Sequence, residues 1–333
     1  MRASHLSVSL ALALSASAVF AQNATPTRPP IIDMHVHAAM SMGGQPACAN
    51  TPAFLASDPK TEEARFGWKT VGCADPLLPA KKPADYEKEV LAQYERLNIR
   101  AVVMGDEKTV NQWQSDAPNR VIKGTGFDVT ALSGPKKEAE LKRLREAFTT
   151  GGFQVMGEIG LQYQGMSPSD PAVDAYFALA EELDVPVGIH MGTGGSGRAN
   201  LSMPKFRGSA GNPLLLEEML AKHPKLRLWI MHAGYPMIDN LLTLLQANSH
   251  VYVDVAGLIW SYPIKEVNRY IERIVEAGFE DRVMYGTDQL LWPNLVAQSI
   301  NIIEQADYLT PEQKRDILYN NAARFLRLDG GKK

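Results

Sequence analysis

Six residues of this chain are of types that hold a divalent ion or move a proton, and each follows or ends an apolar run. His35 and His37 close the run Ile31-Ile32-Asp33-Met34-His35-Val36-His37. Glu158 stands in Gly157-Glu158-Ile159-Gly160, His190 and His232 each end an apolar stretch, and Asp288 closes Gly286-Thr287-Asp288. Neutral imidazole and carboxylate suit Zn2+, and also Mn2+, Fe2+ or Co2+. In an extended strand, side chains two apart share a face. Asp33, His35 and His37 are therefore expected to point the same way, and the His-x-His pair to offer two imidazoles to one ion. A lone His-x-His or a lone Gly-Glu-Ile-Gly is a weak signal. Four histidines and two carboxylates at one rim are a strong one, because burying that many ionisable groups without a cation is costly. The other histidines, His5, His223 and His250, read as surface or packing residues.

The elements that must position these residues follow a repeated order of short β-branched run, then longer helical pattern. That order argues for βαβ units and a parallel sheet. The expected strands are Ile31–His37, Arg100–Met104, Val121–Phe127, Phe153–Ile159, Val185–His190, Leu226–His232, His250–Val255 and Arg282–Thr287. Eight strands is the count of a (β/α)8 TIM barrel, whose chemistry sits at the C-terminal ends of the strands. The six residues above end the first, fourth, fifth, sixth and eighth strands, so one rim would collect them all. Helices are expected over Asp85–Leu97, Lys136–Phe148, Asp170–Leu183, Pro213–Lys222 and Ile264–Ala277. A closing helix starts at Thr310-Pro311-Glu312, with Thr as N-cap and Pro in the first helical position.

Two connections are too long for plain βα loops. Residues 38–83 form an insertion after the first strand, and residues 191–211 carry Gly-Thr-Gly-Gly-Ser-Gly followed by Met203-Pro204-Lys205. Long loops in a compact domain are usually binding loops or lids. Both would lie on the C-terminal face. Arg198, Lys205 and Arg207 are candidate cationic substrate contacts, Trp260 and Trp292 candidate pocket walls, and Phe66 and Trp68 candidate lid residues. The glycine-rich run lacks the Lys-Ser/Thr ending of a phosphate-binding loop and reads as a flexible active-site loop.

Of the 333 residues 45% are hydrophobic and 21% charged, an ordinary globular composition for one large domain. The formal net charge is −3, and no basic cluster marks a nucleic-acid footprint. Arg2 followed by the apolar run Leu6 to Phe20 and by Val19-Phe20-Ala21 reads as a signal peptide over residues 1–21, cleaved before Gln22. The expectation is export to the periplasm or beyond, with no membrane contact after cleavage. Residues 22–333 would then form one metal-dependent hydrolase barrel with the insertion at 38–83. The two cysteines, Cys48 and Cys73, are a disulfide candidate in an oxidising compartment.

The motifs Asp33-Met34-His35-Val36-His37, Gly157-Glu158-Ile159-Gly160, His190-Met191-Gly192-Thr193, Met231-His232-Ala233-Gly234 and Arg282 to Asp288 occur in the order of the amidohydrolase superfamily. They resemble most its amidohydrolase-related (amidohydrolase 2) branch, whose C-terminal signature is similar to Ile317 to Phe325 here. The resemblance spans residues 31–328. It implies His35, His37, His190 and Asp288 as metal ligands or near neighbours, with His232 orienting water or polarising substrate. It implies that Glu158 either bridges two ions or binds none. The implied cofactor is one or two divalent ions, Zn2+ first and Mn2+, Fe2+ or Co2+ as alternatives.

Two reactions follow from the resemblance. In hydrolysis of an amide, lactone or ester, Asp288 takes a proton from water and passes it to the leaving group, and His232 stabilises the oxyanion. In decarboxylation of an aromatic or unsaturated acid, the ion holds the carboxylate. A binding protein that kept the barrel but lost turnover is a third reading, and the filled ligand positions count against it. A small-molecule substrate is the expected partner, and a homo-oligomer is open.

Overall fold

In a computed structural model the described residues are 28–38, 46, 75–194, 197–201, 203–289 and 291–328. Cys48, Cys73, Phe66, Trp68 and the expected signal segment lie outside them. Eight parallel strands run in sequential order: β1 Ile31–His37, β2 Ile99–Met104, β3 Val121–Thr125, β4 Val155–Ile159, β5 Val187–His190, β6 Leu228–Met231, β7 Val251–Asp254 and β8 Val283–Met284. The stretch after β8 returns to β1. Met34 N donates to Tyr285 O at 3.0 Å, Asp288 N to His35 O at 2.8 Å and His37 N to Gln289 O at 3.2 Å. The fold is a (β/α)8 barrel, as the strand count implies. Among the described residues no helix is long and apolar enough to cross a membrane.

Strands of such a barrel are covered on both faces, which accounts for their nearly unbroken burial. Inside, Ile32, Met34, Val102, Met104, Ile122, Val155, Trp229, Met231 and Met284 form one cluster, closed below by Phe325. Trp229 is large for this space, and Gly188 on the neighbouring strand makes room for it. A Cβ at Gly188 would lie 2.4 Å from the indole and 2.6 Å from Met231 Cε. Outside, amphipathic helices pack on the sheet. The helix Tyr86–Leu97 buries Tyr86, Val90, Tyr94 and Leu97 along one stripe and ends at Asn98 in the left-handed conformation. Thr310 caps Pro311–Arg315 in a reciprocal capping box with Gln313.

Two departures from regular strand geometry matter for the site. Between Asp33 and Val36, β1 advances three residues while β2 advances two, from Ala101 to Val103. Between Met156 and Ile159, β4 does the same against Val187 to Ile189. Each is a bulge, and a bulge re-aims the side chains beside it. Strict alternation from Asp33 to His37 therefore fails. Asp33 is bonded to Thr287, while His35 and His37 meet each other. In β4 the bulge lets Glu158 join the barrel's contents, although Met156 and Ile159 flanking it both pack in the outer layer.

The eighth strand is shorter than the run Arg282–Thr287 suggests. Only Val283 and Met284 pair with β7, and Asp288 stands four residues beyond the strand on a backbone held by β1.

Candidate active site

The six expected residues converge at the C-terminal rim in two overlapping groups. In the first, His35 Nε2 lies 3.3 Å from His37 Nε2 and 3.6 Å from Asp288 Oδ1, and His37 Nε2 is 3.1 Å from Asp288 Oδ1. Glu158 Oε2 joins them at 3.7 Å from His35 Nε2 and 3.4 Å from His37 Nε2. Four donors about 2.0–2.1 Å from a tetrahedral ion stand about 3.4 Å apart from one another. The spacings among His35, His37 and Asp288, 3.1–3.6 Å, bracket that value, so these three donors fit a small divalent cation, with Glu158 Oε2 beside the two imidazoles.

In the second group, the other oxygen of the same carboxylate takes part. Glu158 Oε1 is 2.5 Å from His190 Nδ1 and 3.4 Å from His232 Nε2, and the two imidazoles approach to 3.0 Å. Glu158 thus faces one histidine pair with each oxygen. The hydroxyl of Tyr163, in the turn after β4, lies 3.0 Å from His190 Nε2 and 3.2 Å from its Nδ1. His190 therefore sits with His232, Glu158 and Tyr163, not with His35, His37 and Asp288.

Charge in this cluster is mutual. Burial depresses the His37 imidazole, but Asp288 and Glu158 outweigh it and lift its pKa to about 9. Burial likewise opposes ionisation of His35, and Asp288, Asp254 and Glu158 raise it well above the ordinary value. His232 is raised against its burial by Glu158 and Asp288, whereas burial holds His190 low. Burial would raise both carboxyls, but the surrounding imidazoles keep Glu158 and Asp288 below the usual carboxylate range. Protons and a cation would compete for the same lone pairs.

Backbone and buried acids hold the side chains in place. Asp254, at the end of β7 and fully buried, meets His35 Nδ1 at 3.3 Å and accepts from Trp229 Nε1 at 3.0 Å through Oδ2. Its Oδ1 accepts from the amides of His232 at 2.9 Å and Ala256 at 3.1 Å. Asp33 accepts from Thr287 N at 2.9 Å and Thr287 Oγ1 at 2.7 Å, one residue before Asp288. Its burial raises its pKa to about 7, against the pull of those hydrogen bonds. His232 and Asp288 both adopt positive φ, 60° and 54°. Such conformations are rare for residues with a side chain and tend to mark functional sites.

The family model Amidohydro_2, described as amidohydrolase, matches residues 32–328. The chain belongs to the amidohydrolase family. Solved structures give the same fold at low identity. An uncharacterized TIM-barrel protein from Bordetella bronchiseptica is 16% identical with a TM-score of 0.64, over 91% of this chain and 100% of that one. A probable 2-pyrone-4,6-dicarboxylic acid hydrolase from Acinetobacter baumannii, with citric acid bound, is 13% identical with a TM-score of 0.56, over 90% and 100%. A 5-carboxyvanillate decarboxylase from Novosphingobium aromaticivorans, complexed with manganese and 4-hydroxy-3-methoxy-5-nitrobenzoic acid, is 16% identical with a TM-score of 0.56, over 90% and 96%. No curated protein sequence gives a significant match.

The remaining candidates of this amidohydrolase divide. Arg198 lies with its guanidinium 4.7 Å over the Tyr163 ring, which places it one side chain away from His190. Arg207 is turned back on its own loop, donating to the carbonyls of Pro204 and Phe206, both at 2.8 Å, and Lys205 is exposed. Trp292 is fully buried and stacks edge-on with Trp260 at 5.4 Å. Trp260 Nε1 donates to Thr287 O at 2.9 Å. The two indoles thus pack beneath the 287–292 loop that carries Asp288, which is a supporting place and not an open pocket wall. His223 is buried between Asp174 at 3.2 Å and Glu181 at 3.5 Å, away from the site.

Reading the sequence assigned no role to Asp254, Tyr163 or Gly257. Asp254 gave a usable signal, a lone acid at the end of the apolar run Val251-Tyr252-Val253. Tyr163 and Gly257 gave none. A Cβ on Gly257 would lie 2.9 Å from His232 Nδ1 and 3.1 Å from Asp288 Oδ2, so its bare backbone leaves open the space between those two side chains.

Proposed function

We propose that this amidohydrolase is a metal-dependent hydrolase that cleaves an amide, lactone or ester of a small molecule. The observation that carries this reading is the set of donor atoms of His35, His37 and Asp288, 3.1–3.6 Å apart, with Glu158 Oε2 within 3.7 Å of both imidazoles. These four residues are the proposed ligands, and Zn2+ is the ion that best suits their imidazole-carboxylate mixture, with Mn2+, Fe2+ and Co2+ taking the same donors. His190 and His232 on the other oxygen of Glu158 could hold a second ion, for which Glu158 would be the bridge. Bound there, a divalent cation supplies Lewis acidity toward a carbonyl or carboxylate oxygen and makes water acidic near neutral pH.

The chain's own residues do the rest. Asp288 directs Oδ1 at the two imidazoles, and its Oδ2 borders the space left by Gly257. Being held ionised by its neighbours, it can accept the proton of an attacking water and return it to the leaving group. His232 spends Nδ1 on the Ala256 carbonyl at 2.8 Å, which turns Nε2 toward the site. With its pKa raised, and where no second ion occupies Nε2, it can donate there to a developing oxyanion.

A second reading, decarboxylation, rests on Arg198. Its guanidinium lies over Tyr163, beside His190, and among the described residues no carboxylate pairs with it. It could clamp a substrate carboxylate; as the C–C bond to that carboxylate breaks and CO2 leaves, Asp288 would pass to the carbon a proton first taken up from solvent. The decarboxylase fold relative agrees with this reading. The test is a screen of amides, lactones, esters and aromatic carboxylates in H2-18O. Hydrolysis puts 18O into the organic product, whereas decarboxylation releases CO2 and adds no oxygen to the organic product.

We also place residues 1–21 as a cleaved export signal, on the basic, apolar and small-residue order of that segment. N-terminal sequencing of the mature chain, expected to begin at Gln22, checks it.

A further inference from the structure

Asp254 belongs to none of the expected ligands, yet it touches both halves of the site. The residue is fully buried, and its four contacts divide between its two oxygens. Oδ1 takes the amides of His232 and Ala256. Oδ2 takes the indole N–H of Trp229 at 3.0 Å and faces His35 Nδ1 at 3.3 Å. The two amides and the indole can only donate, so both oxygens already act as acceptors. His35 must therefore carry a proton on Nδ1, which commits its Nε2 toward His37, Glu158 and Asp288. On the other oxygen, the His232 amide is held in the one place where that residue adopts φ 60°. From there the His232 ring reaches the Ala256 carbonyl, whose own amide is the fourth partner of Asp254.

We propose that Asp254 is a positioning residue that fixes the ring protonation pattern of His35 and the backbone of His232, so that one buried carboxylate at the end of β7 prepares both groups of donors. The inference rests on the metal-centre reading above and adds a residue and a role to it. Trp229 sharpens it. The indole fills the barrel interior directly below and is itself seated by Gly188. Its N–H donates to Oδ2, which makes that oxygen an acceptor.

The chemistry of the isosteric variant makes the test specific. In Asp254→Asn the amide oxygen serves the two backbone N–H groups, so the NH2 must take the place of Oδ2. It then meets the Trp229 N–H, donor against donor, and forces His35 Nδ1 to accept. His35 then carries its proton on Nε2, where an ion would bind. Adding Trp229→Phe removes the donor conflict but leaves the wrong imidazole tautomer.

The experiment compares wild type, Asp254→Asn and the Trp229→Phe/Asp254→Asn double variant. It measures Tm, Co2+ affinity by chelator competition, and histidine 15N shifts of the metal-free chain. The expected result is a 10- to 100-fold loss of Co2+ affinity in Asp254→Asn. In the double variant the affinity should stay low whatever its Tm, because removing the indole leaves the wrong tautomer and also empties part of the barrel interior. An Asp254→Asn chain within twofold of wild type, or affinity that returns in the double variant, overturns the proposal. If the wild type takes up no Co2+, the metal-centre reading fails by itself. The 15N shifts, recorded at a pH high enough for the His35 ring to be neutral, then decide Asp254 alone: a proton moving from Nδ1 to Nε2 of His35 in the variant supports its role, and an unchanged tautomer refutes it.

Discussion

The backbone amide of Asp288 donates to the carbonyl oxygen of His35 at 2.8 Å, and the side chains of the same two residues approach to 3.6 Å. The first strand and the chain leaving the eighth are therefore joined where the donors meet. Anything that loosens this junction moves both side chains.

Asp33 is the buried clasp of that junction, holding the amide and hydroxyl of Thr287. Asp33→Ala takes the acceptor from the buried amides of Thr287 and His35, at about 1–3 kcal/mol for each group, while the Thr287 hydroxyl keeps the His35 carbonyl. The expected outcome is a loss of about 3 kcal/mol in urea denaturation, with Co2+ affinity falling alongside because Asp288 follows Thr287. A loss below about 1 kcal/mol would refute the clasp.

Gly257 adopts φ 73° and leaves a gap beside His232 and Asp288. In Gly257→Ala the left-handed backbone costs about 1 kcal/mol. The methyl group also presses into His232. Turnover is expected to fall more than tenfold while the chain stays folded by circular dichroism. Wild-type kcat/KM in this variant would show that the gap has no part in the reaction.

Asp288→Asn keeps the shape of the side chain and removes its capacity to take a proton. A proton-transfer role is worth about 100- to 10,000-fold. The variant should lose at least 100-fold in kcat. Full activity with an intact metal content would exclude Asp288 as the proton carrier.

Glu87, on the helix Tyr86–Leu97 and beside Asp116, tests the electrostatics of the scaffold. Burial, then the neighbouring Asp116, raises its pKa to about 7, above an ordinary value of 4.5. The folded chain therefore binds this proton more tightly than the unfolded chain. Its contribution to stability is present in full below pH 4.5 and is lost as pH rises through 7. Glu87→Gln should raise Tm at pH 8, and the difference should shrink toward pH 4. Equal shifts at both values would contradict the assignment.

Much of the site was legible before the fold was known, because ligand types at the ends of apolar runs map directly onto the rim of a parallel barrel. His35, His37, Glu158, His190, His232 and Asp288 all arrive there. What period-two reasoning cannot see is an extra residue. The bulges in β1 and β4 detach Asp33 from the face of His37 and bring Glu158 in, and neither follows from propensity. Contacts that depend on the backbone of a distant element were hidden for the same reason. Asp254 acts through the amide of His232, and Tyr163 reaches His190 from a different turn. Trp260 and Trp292 are aromatic residues near a rim, and only three-dimensional packing distinguishes support under a loop from the wall of a pocket.

The most direct measurement is elemental analysis of the purified chain after loading with Zn2+ and gel filtration, beside a His35→Ala/His37→Ala variant of matched fold. The account expects about one equivalent or more of ion in the wild type and less than about one-tenth in the variant. A folded wild type that retains no ion, or a variant that retains as much, would contradict it.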